Sequence, residues 1–130
     1  MILQESGENY LETILMLQQQ NGSVRSIDIA THMNFTKASV SIAMKKLREN
    51  GYIAVDGEGN LTLLEPGREI AERIYSRHRL LTHFFMQLGV DEKTAAEDAC
   101  KAEHILSEQT LEKIRERAIE TDAELGKTVK

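Results

Sequence analysis

Two runs of β-favouring residues, Tyr52-Ile53-Ala54-Val55 and Leu61-Thr62-Leu63-Leu64, flank Asp56-Gly57-Glu58-Gly59-Asn60 and directly follow two capped helical patterns. The glycines in the break permit positive φ, so the two runs predict a hairpin. Upstream, Ser26 is a suitable N-cap for a short helix over residues 27–33, with Ile27, Ala30 and Met33 on one side. Asn34-Phe35 then forms a tight connection to Thr36, which caps a longer helix from residue 37 to about 50, closed by Gly51. Helix, short turn, helix and hairpin in immediate succession leave few solutions. The pattern predicts a winged helix-turn-helix.

A supporting helix precedes this segment. From residue 8 to 19, Tyr10, Leu11, Ile14, Leu15 and Leu17 recur at helical spacing, and Asn21-Gly22 supplies a stop. Beyond the hairpin, Pro66-Gly67 opens a long helix over residues 68–88, with Ile70, Ile74, Leu80, Leu81, Phe84 and Phe85 on its buried side and Gly89 at its end. Further helices are expected over residues 91–107 and from 108 to about 121, followed by a frayed polar tail to residue 130. The apolar positions Ile105, Leu106, Leu111 and Ile114 suit either a dimer interface or an intramolecular core. The expected fold is mainly α, a winged-helix head over residues 1–70 followed by a helical half over residues 71–130.

Composition narrows the functional classes. No segment approaches the roughly 18 apolar residues of a membrane span, and residues 1–10 carry carboxylates instead of a basic and then apolar leader, so a cytoplasmic protein without membrane association is expected. The single cysteine, Cys100, cannot form an intramolecular disulfide and remains available as a ligand. A net charge of −5 argues at first against a nucleic-acid partner. Its distribution argues otherwise: Lys37, Lys45, Lys46 and Arg48 crowd into the second helix of the helix-turn-helix, while Asp91, Glu92, Glu97, Asp98 and Glu103 gather in the second half.

Such a helix inserts its N-terminal part into the major groove, so Thr36, Lys37, Ala38, Ser39 and Ile42 are the candidate base-reading residues. Lys45, Lys46 and Arg48 lie further along and suit phosphates, which set affinity and salt dependence instead of sequence preference.

The second half carries Asp98-Ala99-Cys100-Lys101-Ala102-Glu103-His104. Residues three and four apart share a helix face, so Cys100, Glu103 and His104 would project together as thiolate, carboxylate and imidazole, a donor set suited to a first-row transition metal. Further ligands should come from other elements. The first helix offers Asn9 and Glu12, and the long helix offers His78.

The sequence resembles the diphtheria toxin repressor and manganese transport regulator family of metal-dependent repressors. Three motifs carry the resemblance: Glu8-Asn9-Tyr10-Leu11-Glu12-Thr13-Ile14, Ser76-Arg77-His78-Arg79-Leu80-Leu81 and Cys100-Lys101-Ala102-Glu103-His104, within a match from about Glu8 to Ser107. It implies a homodimer with a helical dimerisation domain that binds ferrous or manganous ion, then grips a palindromic double-stranded operator and represses metal-uptake genes. It further implies that Cys100, Glu103 and His104 are ligands, with His78 and Glu12 at a second or adjoining metal position. Asn9 stands where the family has Met in iron-type and Asp in manganese-type members. Thr82 stands where Glu is common, and Ala96 replaces a His of iron-type members. The soft donor Cys100 and the loss of an anionic oxygen at Asn9 favour Fe2+ over Mn2+, with Co2+, Ni2+ or Zn2+ able to bind in vitro. In length the chain is closer to the manganese-type members.

Two other functions compete. A winged-helix regulator that senses a small organic ligand or an oxidant through Cys100 would bind DNA irrespective of metal. A metalloenzyme would need a further placed acid or base, and the chain offers none; the chain is read as a regulator, not an enzyme.

Overall fold

The computed structural model describes residues 4–125. They divide into two compact units, one ending at Arg73 and the other beginning at Ile74. The frayed tail expected after residue 121 lies, beyond Leu125, outside the described residues.

The first unit holds α1 (Glu5–Asn21), α2 (Ser26–Met33), α3 (Lys37–Glu49), β1 (Ile53–Val55), β2 (Leu61–Leu63) and the start of α4 (Glu65–Gln87). α1 buries Leu11, Ile14, Leu15 and Leu17, the stripe its periodicity predicts, and ends on Gly22 at φ 83°. α2 departs from expectation at its start. Its N-cap is Arg25, whose backbone N–H donates to Asp28 Oδ2 at 2.9 Å, so Ser26 is already helical. Its buried residues are Ile29 and Ala30, and Ile27 is exposed. The reason lies in the preceding segment: Arg25 bridges Asn60 in antiparallel fashion and the Val24 carbonyl accepts from Leu61 N–H at 2.8 Å, which draws the chain onto the hairpin before the helix begins.

The turn between α2 and α3 uses Asn34 in the left-handed region at φ 57°, and Phe35 packs edge-on against Tyr10 with ring centroids 6.1 Å apart. α3 then buries Val40, Met44 and Leu47. The hairpin pairs Ile53 with Leu63, Ala54 with Thr62 and Val55 with Leu61. Asp56 stiffens its loop, accepting from the backbone N–H groups of Glu58 and Asn60 at 2.9 Å each and from the Asn60 side chain at 3.2 Å. These bonds, led by that from the Asn60 backbone, hold the Asp56 carboxyl below its ordinary pKa. Gly67 is required where α4 starts: a Cβ there would stand 2.2 Å from the Tyr52 carbonyl oxygen.

The second unit contains the remainder of α4, α5 (Glu92–Ala102) and α6 (Glu108–Leu125). Leu80, Leu81, Ala99, Leu111 and Ala118 form its core, with Phe84, Phe85, Ala102, Leu106 and Ile114 packed against it. Three of the four apolar positions open to a dimer or core role therefore take part in the core, and Ile105 is exposed. Asp91 caps α5 by accepting from Thr94 N–H at 3.1 Å. The helix expected to reach residue 107 stops at Ala102. Ser107 Oγ instead accepts from Thr110 N–H at 3.2 Å and caps α6, so residues 103–105 form hydrogen-bonded turns. α6 runs on past residue 121 to Leu125. A polar cluster joins α4 to α6: His83 Nε2 stands 2.8 Å from Asp122 Oδ2, and Gln87 Nε2 donates to Asp122 Oδ1 at 2.9 Å and to the Ala118 carbonyl at 3.0 Å.

The expected architecture of a winged helix-turn-helix followed by a helical half is the observed one. Among the described residues no helix is long and apolar enough to cross a membrane.

Candidate metal centre and nucleic-acid interface

Glu103 is fully buried although it is a carboxylate, and such a group is costly to bury unless charged or polar partners surround it. Two imidazoles do so. His78 Nδ1, from α4, lies 3.0 Å from Oε2. His104 Nε2, from the turn after α5, lies 3.3 Å from Oε1, and its side chain is 2% exposed. That second contact falls outside hydrogen-bond geometry, leaving Oε1 without a hydrogen bond among the described residues. A buried carboxylate oxygen without a hydrogen bond, beside two imidazoles, fits a divalent transition metal, whose charge would offset the desolvation left at Oε1.

The early end of α5 changes how these residues are presented. Cys100 lies on the helix and is exposed, whereas Glu103 is its C-cap and His104 follows in the turn. Glu103 keeps helical dihedrals and donates its N–H to the Ala99 carbonyl at 2.9 Å, so helical spacing still relates it to Cys100, and the departure begins at His104. Asn9 and Glu12 lie on α1 of the first unit, Asn9 half-buried with its carbonyl accepting from Thr13 Oγ1 at 2.8 Å, and Glu12 buried. Thr82 turns its hydroxyl back to donate to the His78 carbonyl at 2.7 Å. Sequence reasoning gave Arg77 no role. It donates from Nη1 to the Glu103 carbonyl at 3.2 Å and pairs through Nη2 with Glu108. Its position beside His78 in the second motif was the available signal.

In the first unit, α3 separates two faces. Val40, Met44 and Leu47 are buried; Thr36, Lys37, Ala38, Ser39, Ile42, Lys45 and Lys46 are all exposed, with Ile42 61% exposed. Thr36 Oγ1 accepts from Ser39 N–H at 3.1 Å and donates to Ser39 Oγ at 2.8 Å, fixing the first turn. Beside α3 runs a groove lined by Ser26, Ser41, Met44, Lys45, Arg48 and Val55, between the start of α2 and the hairpin.

Residues 2–61 match the family model of the iron dependent repressor N-terminal DNA binding domain, and residues 64–120 match that of the iron dependent repressor metal binding and dimerisation domain. This chain belongs to the iron-dependent repressor family. Among relatives of this repressor family member, an HTH-type transcriptional regulator of Methanocaldococcus jannaschii is 36% identical over 115 residues, covering 87% of this chain and 92% of its own length. The HTH-type transcriptional regulator MntR of Lysinibacillus sphaericus is 33% identical over 109 residues, 84% of this chain and 78% of that protein. A solved manganese-dependent transcriptional repressor in complex with manganese superposes with a TM-score of 0.76 at 28% identity, covering 92% of this chain and 52% of the other. The chain thus spans about half the length of the solved repressors it matches. Its relatives are transcriptional regulators, and the family's two domains bind DNA and divalent metal.

Proposed function

We propose that this chain is a metal-activated repressor whose grip on a palindromic operator, as a homodimer, rises when a divalent transition metal binds, and that it governs metal-uptake genes. The observation that carries the reading is the buried Glu103 carboxylate between His78 and His104, in a chain matched by both family models. The proposed ligands are His78, Cys100, Glu103 and His104, with Glu12 and Asn9.

When bound, the metal would supply a fixed positive charge beside the buried Glu103 carboxylate. The chain's own residues do the rest. Glu103 offers a carboxylate already desolvated, and the two imidazoles hold nitrogen donors against it, so little ordering remains at binding. Fe2+ is the favoured metal over Mn2+, because Cys100 adds a softer donor and Asn9 lacks an anionic oxygen. On the DNA side, Thr36, Lys37, Ala38, Ser39 and Ile42 are proposed to read bases, the exposed Ile42 side chain suiting a thymine methyl group. Lys45 and Lys46 are proposed to hold phosphates. Metal need favour the DNA-competent arrangement by only a few kcal/mol to shift its population. By linkage, operator DNA must tighten metal binding by the same factor.

The test is fluorescence anisotropy with operator-like DNA across Fe2+, Mn2+, Co2+ and Zn2+, for wild type, His104→Ala and Cys100→Ala. Metal should strengthen DNA binding and His104→Ala should abolish that gain. Loss of the Fe2+ preference in Cys100→Ala would support the thiol as a ligand. DNA affinity indifferent to metal and to both substitutions overturns the reading.

A further inference from the structure

α5 ends at Ala102: Glu103, its C-cap, keeps helical dihedrals and still donates its N–H to the Ala99 carbonyl at 2.9 Å, and the residues after it leave the helix for a turn. The carbonyl at such a helix end is an orphan acceptor that water, a side chain or a turn must satisfy. Here a side chain does so. Arg77 Nη1 donates to the Glu103 carbonyl at 3.2 Å, while Nη2 of the same guanidinium pairs with Glu108 in the first turn of α6. The planar fork therefore fastens both ends of the 103–107 connection to α4. The Arg77 side chain is only 15% exposed while Glu108 is 81% exposed, so the contact with the Glu103 carbonyl is the sheltered one of the two.

The next residue along α4 completes the arrangement. His78 Nδ1 meets the Glu103 carboxylate at 3.0 Å, so consecutive residues of one helix hold Glu103 by its main chain and by its side chain. A lysine has three N–H donors on a single nitrogen, but it cannot present donors from two nitrogens of one rigid plane to the Glu103 carbonyl and Glu108. We infer that Arg77 is a positioning residue for the metal centre, setting the Glu103–His104 turn so that carboxylate and imidazole meet a cation in one geometry.

The inference rests on the metal reading above, and its test separates the two. Purified wild type, Arg77→Ala, Arg77→Lys, Glu108→Ala and His78→Ala would be titrated with Co2+, following the visible absorption bands that report ligand geometry, and melted without metal. Arg77→Ala should weaken Co2+ binding by about tenfold or more, the loss typical when the partner supporting a metal ligand is removed, and should shift the bands at saturation. Arg77→Lys should recover part of the affinity, and Glu108→Ala should lose less than Arg77→Ala. Wild-type affinity and spectrum in Arg77→Ala, with Co2+ binding lost in His78→Ala, overturn the inference and leave the metal reading intact. Undiminished Co2+ binding in His78→Ala as well tells against the metal reading itself. A weakened affinity with an unchanged saturated spectrum and a matching fall in metal-free melting temperature means general loosening, and also overturns the inference. Should Arg77→Ala not fold, the Arg77→Lys spectrum decides: bands identical to wild type overturn it, and shifted bands support it.

Discussion

Asp122, 1% exposed near the end of α6, holds both carboxylate oxygens against the Nε2 of His83 on α4, at 2.8 and 3.0 Å. Gln87, one turn after His83, donates to the same carboxylate and to the Ala118 carbonyl. This polar clasp sits beside an apolar core built mostly from small and medium side chains. Asp122→Ala would remove the carboxylate that faces His83 and one of the two acceptors of Gln87. A hydrogen bond to a charged group contributes roughly 1.5–3 kcal/mol, and the expected destabilisation is about 2 kcal/mol. Urea unfolding should show a lower midpoint for Asp122→Ala. Equal midpoints would mean that the clasp contributes no stability.

Gly67 gives a sharper steric prediction. A methyl group there would press on the Tyr52 carbonyl, which already accepts from Leu64 N–H at 3.0 Å just after the hairpin. Both clashing partners are backbone, so neither can swing away. Gly67→Ala should cost about 1–3 kcal/mol, the range for overpacked sites, and lower the thermal midpoint. A midpoint at or above wild type would refute it, since alanine otherwise favours a helix.

On α3, Lys45→Ala should weaken DNA binding about equally for operator and unrelated duplexes, and reduce the slope of log affinity against log salt by about 0.9 per protomer, about 1.8 for the proposed dimer. Ser39→Ala should instead narrow the gap between operator and unrelated DNA. Anisotropy titrations at several salt concentrations distinguish these two signatures. A substitution of Lys45 that leaves the salt slope unchanged would remove it from the phosphate contacts.

The hairpin loop should respond to acid through Asp56. Its folded carboxyl lies below the ordinary value of 3.8, held there by the Asn60 backbone and side chain and the Glu58 backbone. The contribution is therefore complete above that value and is lost as pH falls through the folded pKa. A carboxyl-detected NMR titration should give Asp56 a midpoint below 3.8, with the Glu58 and Asn60 amide shifts following the same curve. A midpoint above 3.8 would contradict the bonding described for this loop.

Local signals made much of this molecule legible. The stripe on α1, the Thr36 cap, the glycine-bearing hairpin and the Pro66-Gly67 start each depend on residues within a few positions of one another, and periodicity and capping report those well. Errors arose where distant or competing interactions decided. Nothing near Ser26 indicates that Arg25 will bridge Asn60, a link that moves the start of α2. Helical spacing carried the reading through residue 107 because it did not weigh Ser107 as a cap for the next helix. Helical spacing therefore relates Cys100 to Glu103, the C-cap of α5, but does not extend to His104 in the turn beyond it. His83 and Asp122 are 39 residues apart, and no pattern in either neighbourhood pairs them.

The two faces of α3 have a consequence for how such proteins diversify. Val40, Met44 and Leu47 anchor the helix in its unit, while the proposed reading residues Thr36, Lys37, Ala38, Ser39 and Ile42 share none of that burial. Replacements at Lys37, Ala38, Ser39 and Ile42 should carry little thermodynamic penalty, so the proposed reading face can be varied separately from the packing that holds α3. A library randomised at those four positions should yield folded variants at high frequency, making this short helix a practical starting point for redirected repressors.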